Sequence, residues 1–245
     1  MNEQTQNQYK DTIRKRLVLV EQEIERACRE AGRKRDDVHI VAVSKFHSAA
    51  EVCAAYELGL NHFGENRVQE FLPKQRAVEA TECHPAWHLI GTLQRNKVRQ
   101  VVGKVALIHS VDSLRLLKEI EKRAGNAAIV QPVLLQVNLS EVDNKHGLTV
   151  SDCLELLHDV VPELSHVQVR GLMTMAEFGW DDEKLDHFFA AFKDVCERAK
   201  VALPEKLQAD FNIISAGMSQ DFVQAIRHGA THVRIGTAIF GEREY

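Results

Sequence analysis

The sequence predicts an α/β protein closed into a single (β/α)8 barrel, and three observations lead there. Short apolar runs alternate with amphipathic stretches along nearly the whole chain. Each pair of runs is separated by a helix-length segment, which requires parallel pairing through right-handed crossovers. Eight runs within 245 residues match a closed barrel better than an open doubly wound sheet, which stays the alternative.

The first element is a helix over about 10–31. Ile13, Leu17, Val20, Ile24 and Ala27 recur at three- and four-residue intervals, charges occupy the other faces, and Gly32 marks the end. It should pack on the outside of the barrel. The mixed-sign run RKRDD that follows reads as a solvated loop. Strand one, 39–45, carries Ile40, Val41, Ala42 and Val43 straight into Lys45. A helix at 48–59 closes at Gly59, a strand follows at 62–65, a helix at 66–79 and a strand at 87–91. A helix at 94–102 leads to the strand at 106–111, and Asp112-Ser113 opens a helix at 113–124 that Gly125 closes. The second half gives strands at 132–138, 167–173, 211–215 and 231–235. Between them lie helices at 149–159, begun by Ser151-Asp152, at 181–200, and at 219–228, closed by Gly229. No internal repeat, low-complexity tract or Pro/Gly/Ser linker divides the chain, so one domain over 1–245 is expected.

Composition narrows the function. Hydrophobic residues make up 44% and charged residues 27%, as in ordinary globular proteins. With 31 Lys+Arg against 35 Asp+Glu the net charge is −4, so no global basic field exists to hold nucleic acid. Cys28, Cys53, Cys83, Cys153 and Cys196 are odd in number and widely spaced, without the C-x-x-C spacing of a zinc or redox site. The N-terminus is polar, without the apolar centre of a signal peptide, and no apolar run approaches membrane-spanning length. Reduced thiols and a cytoplasmic location are expected, which makes the Asn138-Leu139-Ser140 sequon accidental.

In such a barrel the strand ends form the functional face. They present Lys45, then Gly64-Glu65-Asn66, His88 and Gly91, His109-Ser110, Asn138, Met173-Thr174, and two glycine-containing segments. In SAGMSQDF, Ser215, Gly217 and Ser219 fall between a strand and a helix, where free N–H groups and the positive helix end favour an anion. In RIGTAIFG, Gly236 allows close backbone approach and Thr237 offers a hydroxyl. Either segment alone could equally be a capped turn, but both follow strands seven and eight, where this fold usually holds phosphate. His88 and His109 lack metal-ligand spacing to each other and read as hydrogen-bonded core or rim residues. No G-x-G-x-x-G, Walker A, H-E-x-x-H or G-x-S-x-G motif is present.

A lysine at a strand end opposite a phosphate cradle points to a Schiff base with a phosphorylated aldehyde. An apolar barrel mouth would disfavour the ammonium and leave a nucleophilic amine. Pyridoxal 5'-phosphate needs this pair of features and a partner for its ring nitrogen, for which Arg234 is the candidate. A charged arginine there keeps the ring unprotonated and a weak electron sink. The same Arg234 could otherwise be a salt-bridged barrel residue.

VAVSK, HFGENRVQE, WHLIGTLQRNK, HSVDS, QVNLS with KHG, VRGLMTM, SAGMSQDF and VRIGTAIFG, in this order over roughly 38–242, resemble the pyridoxal phosphate homeostasis proteins, also called proline synthetase co-transcribed homologues. The resemblance implies a TIM-like barrel of fold type III, similar to the N-terminal domain of alanine racemase, with pyridoxal 5'-phosphate (PLP) held as an internal aldimine on Lys45. It further implies cofactor contacts from Asn66, from Ser215, Gly217, Met218 and Ser219, from Arg234, and from Gly236 and Thr237. Family members are thought to buffer the cofactor and deliver it to PLP-dependent apoenzymes, without robust catalysis. The chain departs from the family at Arg67, where tyrosine is usual, at Ala216, where methionine is usual, and at Val142, where an acidic residue is common.

Two other readings are carried forward. One is a PLP-dependent amino-acid racemase or decarboxylase. Against it, type III racemases add a second β domain with an acid/base tyrosine, the chain ends eight residues after Thr237, and Tyr9, Tyr56 and Tyr245 all lie away from strand ends. The other is a Schiff-base aldolase acting on a sugar phosphate. A monomer without metal, nucleic-acid or membrane partners is expected.

Overall fold

The computed structural model describes residues 3–139 and 146–242. Eight parallel strands close into a barrel in sequence order, β1 (His39–Val43), β2 (His62–Glu65), β3 (Ala86–Leu89), β4 (Leu107–Val111), β5 (Gln131–Gln136), β6 (Val167–Met173), β7 (Ile213–Met218) and β8 (His232–Ile235). Closure is made by β1 against β8, in the register His39↔His232 through Ala42↔Ile235. Alternate residues divide between two faces. Ile40, Ala42, Phe63, Leu89, Ile108, Val233 and Ile235 face outward into the large core beneath the helices. Leu107, Leu134 and Met173 form a separate small cluster inside the barrel.

The helices are α1 (Glu3–Glu30), α2 (Ala49–Tyr56), α3 (Val68–Glu79), α4 (Leu114–Asn126), α5 (Val150–Glu155), α6 (Asp182–Ala202), α7 (Glu205–Gln208), α8 (Phe222–Arg227) and α9 (Thr237–Phe240). The apolar stripe of α1 is buried through Ile13, Val20, Ile24 and Ala27, and it packs against α2, α8 and α9. Arg16 Nη1 donates to Phe240 O at 2.6 Å, and Arg33 Nη1 donates to Ile226 O and Ala230 O at 2.8 Å. The N-terminal helix and the turn after it therefore hold the last two helices around the barrel.

Several expected boundaries move for local reasons. The helix expected at 94–102 is a 3-10 segment, Arg95–Gln100, in which only Val98 is buried. Ser113 caps α4 as expected, but α4 runs through Gly125 and the chain turns at Ala128 (φ 51°). Thr149, two residues ahead of the expected capping pair Ser151-Asp152, caps α5 by accepting from Asp152 N at 3.0 Å. That helix widens to a π turn at Leu156–Val160 and a 3-10 turn at Val161–Glu163, where Pro162 has no N–H to continue the ladder. β7 begins two residues late, because Asp210 O and Asn212 N are taken by Arg170. It also runs on to Met218, so Ser215 and Gly217 lie within the strand.

Candidate functional site

A cavity of ≈ 850 Å³ opens at the C-terminal ends of the strands. Lys45 and Asn66 line it from the β1 and β2 ends, while Met218, Ser219, Arg234, Gly236 and Thr237 line it from β7 and β8. Seven of the nine expected cofactor residues thus share one chamber. Ser215 and Gly217 do not line it and support those that do.

Lys45 is half-buried in the turn after β1, and its amine makes no hydrogen bond or ion pair among the described residues. The turn is clamped from beneath. Glu65, expected at the strand-end face, is fully buried. Its Oε1 accepts from Ser44 Oγ and Lys74 Nζ, both at 2.6 Å, and the same Nζ donates to Ser44 O at 2.6 Å. Lys74 also lies 3.4 Å from Glu70 Oε1, which accepts from Phe46 N. Burial pushes the Glu65 carboxyl up, and Lys74 with Ser44 opposes that shift. Both peptide neighbours of Lys45 are therefore fixed.

On the opposite wall, Ser219 Oγ accepts from Gly236 N at 3.3 Å and Ala238 N at 3.4 Å, which joins the two glycine-containing segments. Asp221 caps Met218 N. Gly217 has φ 91°, and a Cβ there would lie 2.8 Å from Phe222 Cα and Ala225 Cβ, so only glycine fits behind the turn. Gly91 is required for a different reason, since a Cβ would fall 2.3 Å from Asn66 O.

Arg234 is 4% exposed. Its Nη1 donates to Ser215 Oγ at 2.6 Å and its Nη2 to Thr174 O at 2.9 Å. Burial lowers its pKa to about 10, so it stays charged at neutral pH. No carboxylate lies within ion-pair distance of it among the described residues; Asp221 acts on it only from farther away.

The mouth holds residues that the sequence reading missed. Met175, Phe178 and Trp180 in the β6–α6 connection line the cavity, with Phe178 86% exposed. The available signal was an apolar and aromatic run, MAEFGW, where a loop should be polar. Arg67 lines the cavity, Ala216 is buried in the core, and Val142 lies outside the described residues. Tyr9 and Tyr56 pack against the core away from the cavity.

The chamber combines an amine, a buried guanidinium and two hydroxyls, those of Ser219 and Thr237. That donor set fits a phosphorylated aromatic aldehyde.

The chain matches the family model described as alanine racemase, N-terminal domain, over residues 20–244. It is 40% identical over 234 residues to the pyridoxal phosphate homeostasis protein of Aquifex aeolicus, covering 94% of this chain and 98% of that one. Its structure is similar to that of PipY from Synechococcus elongatus, solved with PLP bound, at TM-score 0.77 and 36% identity, covering 84% of this chain and 93% of that one. Alanine racemase from Corynebacterium glutamicum shares the fold at TM-score 0.67 and 13% identity, covering 93% of this chain and 62% of that one.

Proposed function

The chain belongs to the pyridoxal phosphate homeostasis protein family, and from that membership we propose that it binds pyridoxal 5'-phosphate for intracellular vitamin B6 homeostasis. It buffers or delivers the cofactor and lacks robust catalysis of its own. The observation that carries the reading is the convergence of Lys45, Arg234 and the Ser219–Gly236–Thr237 wall on one chamber. When bound, the cofactor supplies an electrophilic aldehyde and an electron-withdrawing ring.

Each side chain has a distinct part. Lys45 would hold the aldehyde, and the buried Ser44, Glu65 and Lys74 keep its turn in place. Ser219, Gly236 and Thr237, beside Met218 and with Gly217 behind them, would receive the phosphate. Asn66 closes the β2 side. Arg234 would hold the ring nitrogen and, as a cation that only donates, would withhold a proton from it, which suits storage better than carbanion chemistry. Ser215 is assigned to holding Arg234. The chain acts as one barrel domain, a cytoplasmic monomer, with PLP-dependent apoenzymes as recipients.

The test is Lys45→Ala. Borohydride reduction of the PLP-loaded protein followed by peptide mapping should mark Lys45, and the variant should show no reducible adduct. It should still hold PLP through the phosphate contacts, each worth about 1.5–3 kcal/mol. Labelling of another lysine in the wild type would overturn the assignment. Enantiomer exchange of added amino acids would instead favour a racemase, and trapping of a sugar phosphate in place of PLP an aldolase.

A further inference from the structure

A line of hydrogen bonds crosses the barrel interior from the strand-start mouth to the candidate site. His62 Nδ1 meets His88 Nε2 at 3.0 Å, His88 Nδ1 meets His109 Nε2 at 2.8 Å, and His109 Nδ1 meets Ser215 Oγ at 2.8 Å. Ser215 Oγ in turn meets Arg234 Nη1 at 2.6 Å. His62 is half-buried at the start of β2; the next three members are 3% exposed or less.

The cation at one end fixes the direction of every bond. Arginine can only donate, so Ser215 Oγ accepts from Arg234. The fully buried hydroxyl must then place its own proton, and His109 Nδ1 is its remaining partner among the described residues. His109 Nδ1 is therefore an acceptor, and in a neutral ring the proton sits on Nε2 and goes to His88 Nδ1. The same step places the His88 proton on Nε2, directed at His62 Nδ1. All donors run away from Arg234, and three aligned imidazole dipoles do the work that a carboxylate does beside most buried cations.

We propose that His109, acting through Ser215, is the positioning residue for Arg234, and that the His62–His88–His109 line couples the cofactor chamber to the opposite mouth of the barrel. The part that concerns cofactor rests on the PLP-binding reading above. A proton gained by His62 places a donor against the His88 Nε2–H. The line can be satisfied again only if each ring reverses its tautomer, and the Ser215 hydroxyl then has no acceptor. Acid at the far mouth thus loosens Arg234 in the chamber. The charged and titratable groups bearing on the line are His39 on β1, Arg170 on β6, His232 and Arg234 on β8, and Asp221 ahead of α8. Burial and the neighbouring rings keep His88 and His109 neutral at physiological pH.

Two measurements test this. In cofactor-free protein labelled with 15N-histidine, long-range 1H–15N correlation spectra at neutral pH should show the neutral Nε2–H tautomer for His62, His88 and His109. Ser215→Ala should release His109 to a mixture of tautomers. An Nδ1–H or doubly protonated His109 in the wild type overturns the relay whether or not the protein binds PLP. In equilibrium dialysis against PLP, His109→Phe should bind about tenfold more weakly, the upper end of what one neutral hydrogen bond carries. His109→Asn, whose amide oxygen replaces the Nδ1 acceptor but cannot reach His88, should bind like the wild type and lose its fall in affinity at acid pH. Wild-type binding by His109→Phe, or an unchanged acid fall in His109→Asn, overturns the coupling. Failure of the wild type to bind PLP, with the tautomers as expected, counts against the function alone.

Discussion

Phe46 holds a φ of 68°, an uncommon conformation for a bulky side chain, directly after Lys45. The strain persists because Glu70 accepts from its N–H while Lys74 holds both Glu70 and Glu65. Lys74→Met should leave the Glu65 carboxylate buried without a cation and cost about 3–5 kcal/mol, read as a shifted urea midpoint. Adding Glu65→Gln should recover most of that loss; a double variant as unstable as the single one would show that the clamp works otherwise. Gly217→Ala, forced against Phe222 and Ala225 in a left-handed conformation, should weaken the cofactor site and destabilise the fold together. At this scale Lys45 was legible, because an apolar strand runs straight into it. Lys74 was not, since a lysine inside a helix ordinarily reads as solvated and nothing local says that α3 turns it inward. His88 and His109 were read apart from each other, and His62 was not singled out, for the same reason: only register brings residues from β2, β3 and β4 into line.

Elements were legible wherever burial and local signal agree. The stripe of α1 marked a docked helix, and the structure sets it on the segments that carry the proposed phosphate wall. Ile24 is fully buried there, so Ile24→Ala should cost about 2–5 kcal/mol in chemical denaturation. A cost under about 0.5 kcal/mol would mean that α1 is a loose appendage. The short helices α7 and α9, four residues each, carry too few positions for a period to show. The 95–100 segment was misread because one buried residue, Val98, leaves the helix no face to bury. β7 was misplaced because Phe211, though buried, sits in the connection, where the apolar signal resembles a strand start.

For the whole molecule, eight alternations were enough to specify the closed barrel, but not what fills it. Much of its interior is a polar column in place of the usual layers of branched side chains. That column sets the acid stability. Burial and the His39 and His62 rings lower the His232 pKa from 6.5 to about 3, and His88 and His109 are also lowered. The unfolded chain therefore binds more protons than the native state as pH falls from about 6.5 toward 3. Stability is complete above that window and is lost on acidification, by about 1.4 kcal/mol per pH unit for each such histidine. Denaturation across a pH series should show the decline, and His232→Phe should reduce its slope by up to one proton. A flat profile in the wild type would contradict the buried neutral column.

Closure of β1 on β8 joins the strand that precedes Lys45 to the last strand of the ring in chain order. Ser219, Arg234, Gly236 and Thr237 are all translated after most of the wall is complete. A growing polypeptide would thus carry the amine early but could not retain a phosphorylated aldehyde until β8 and the turn after it had emerged, and vitamin capture would report that the ring had shut.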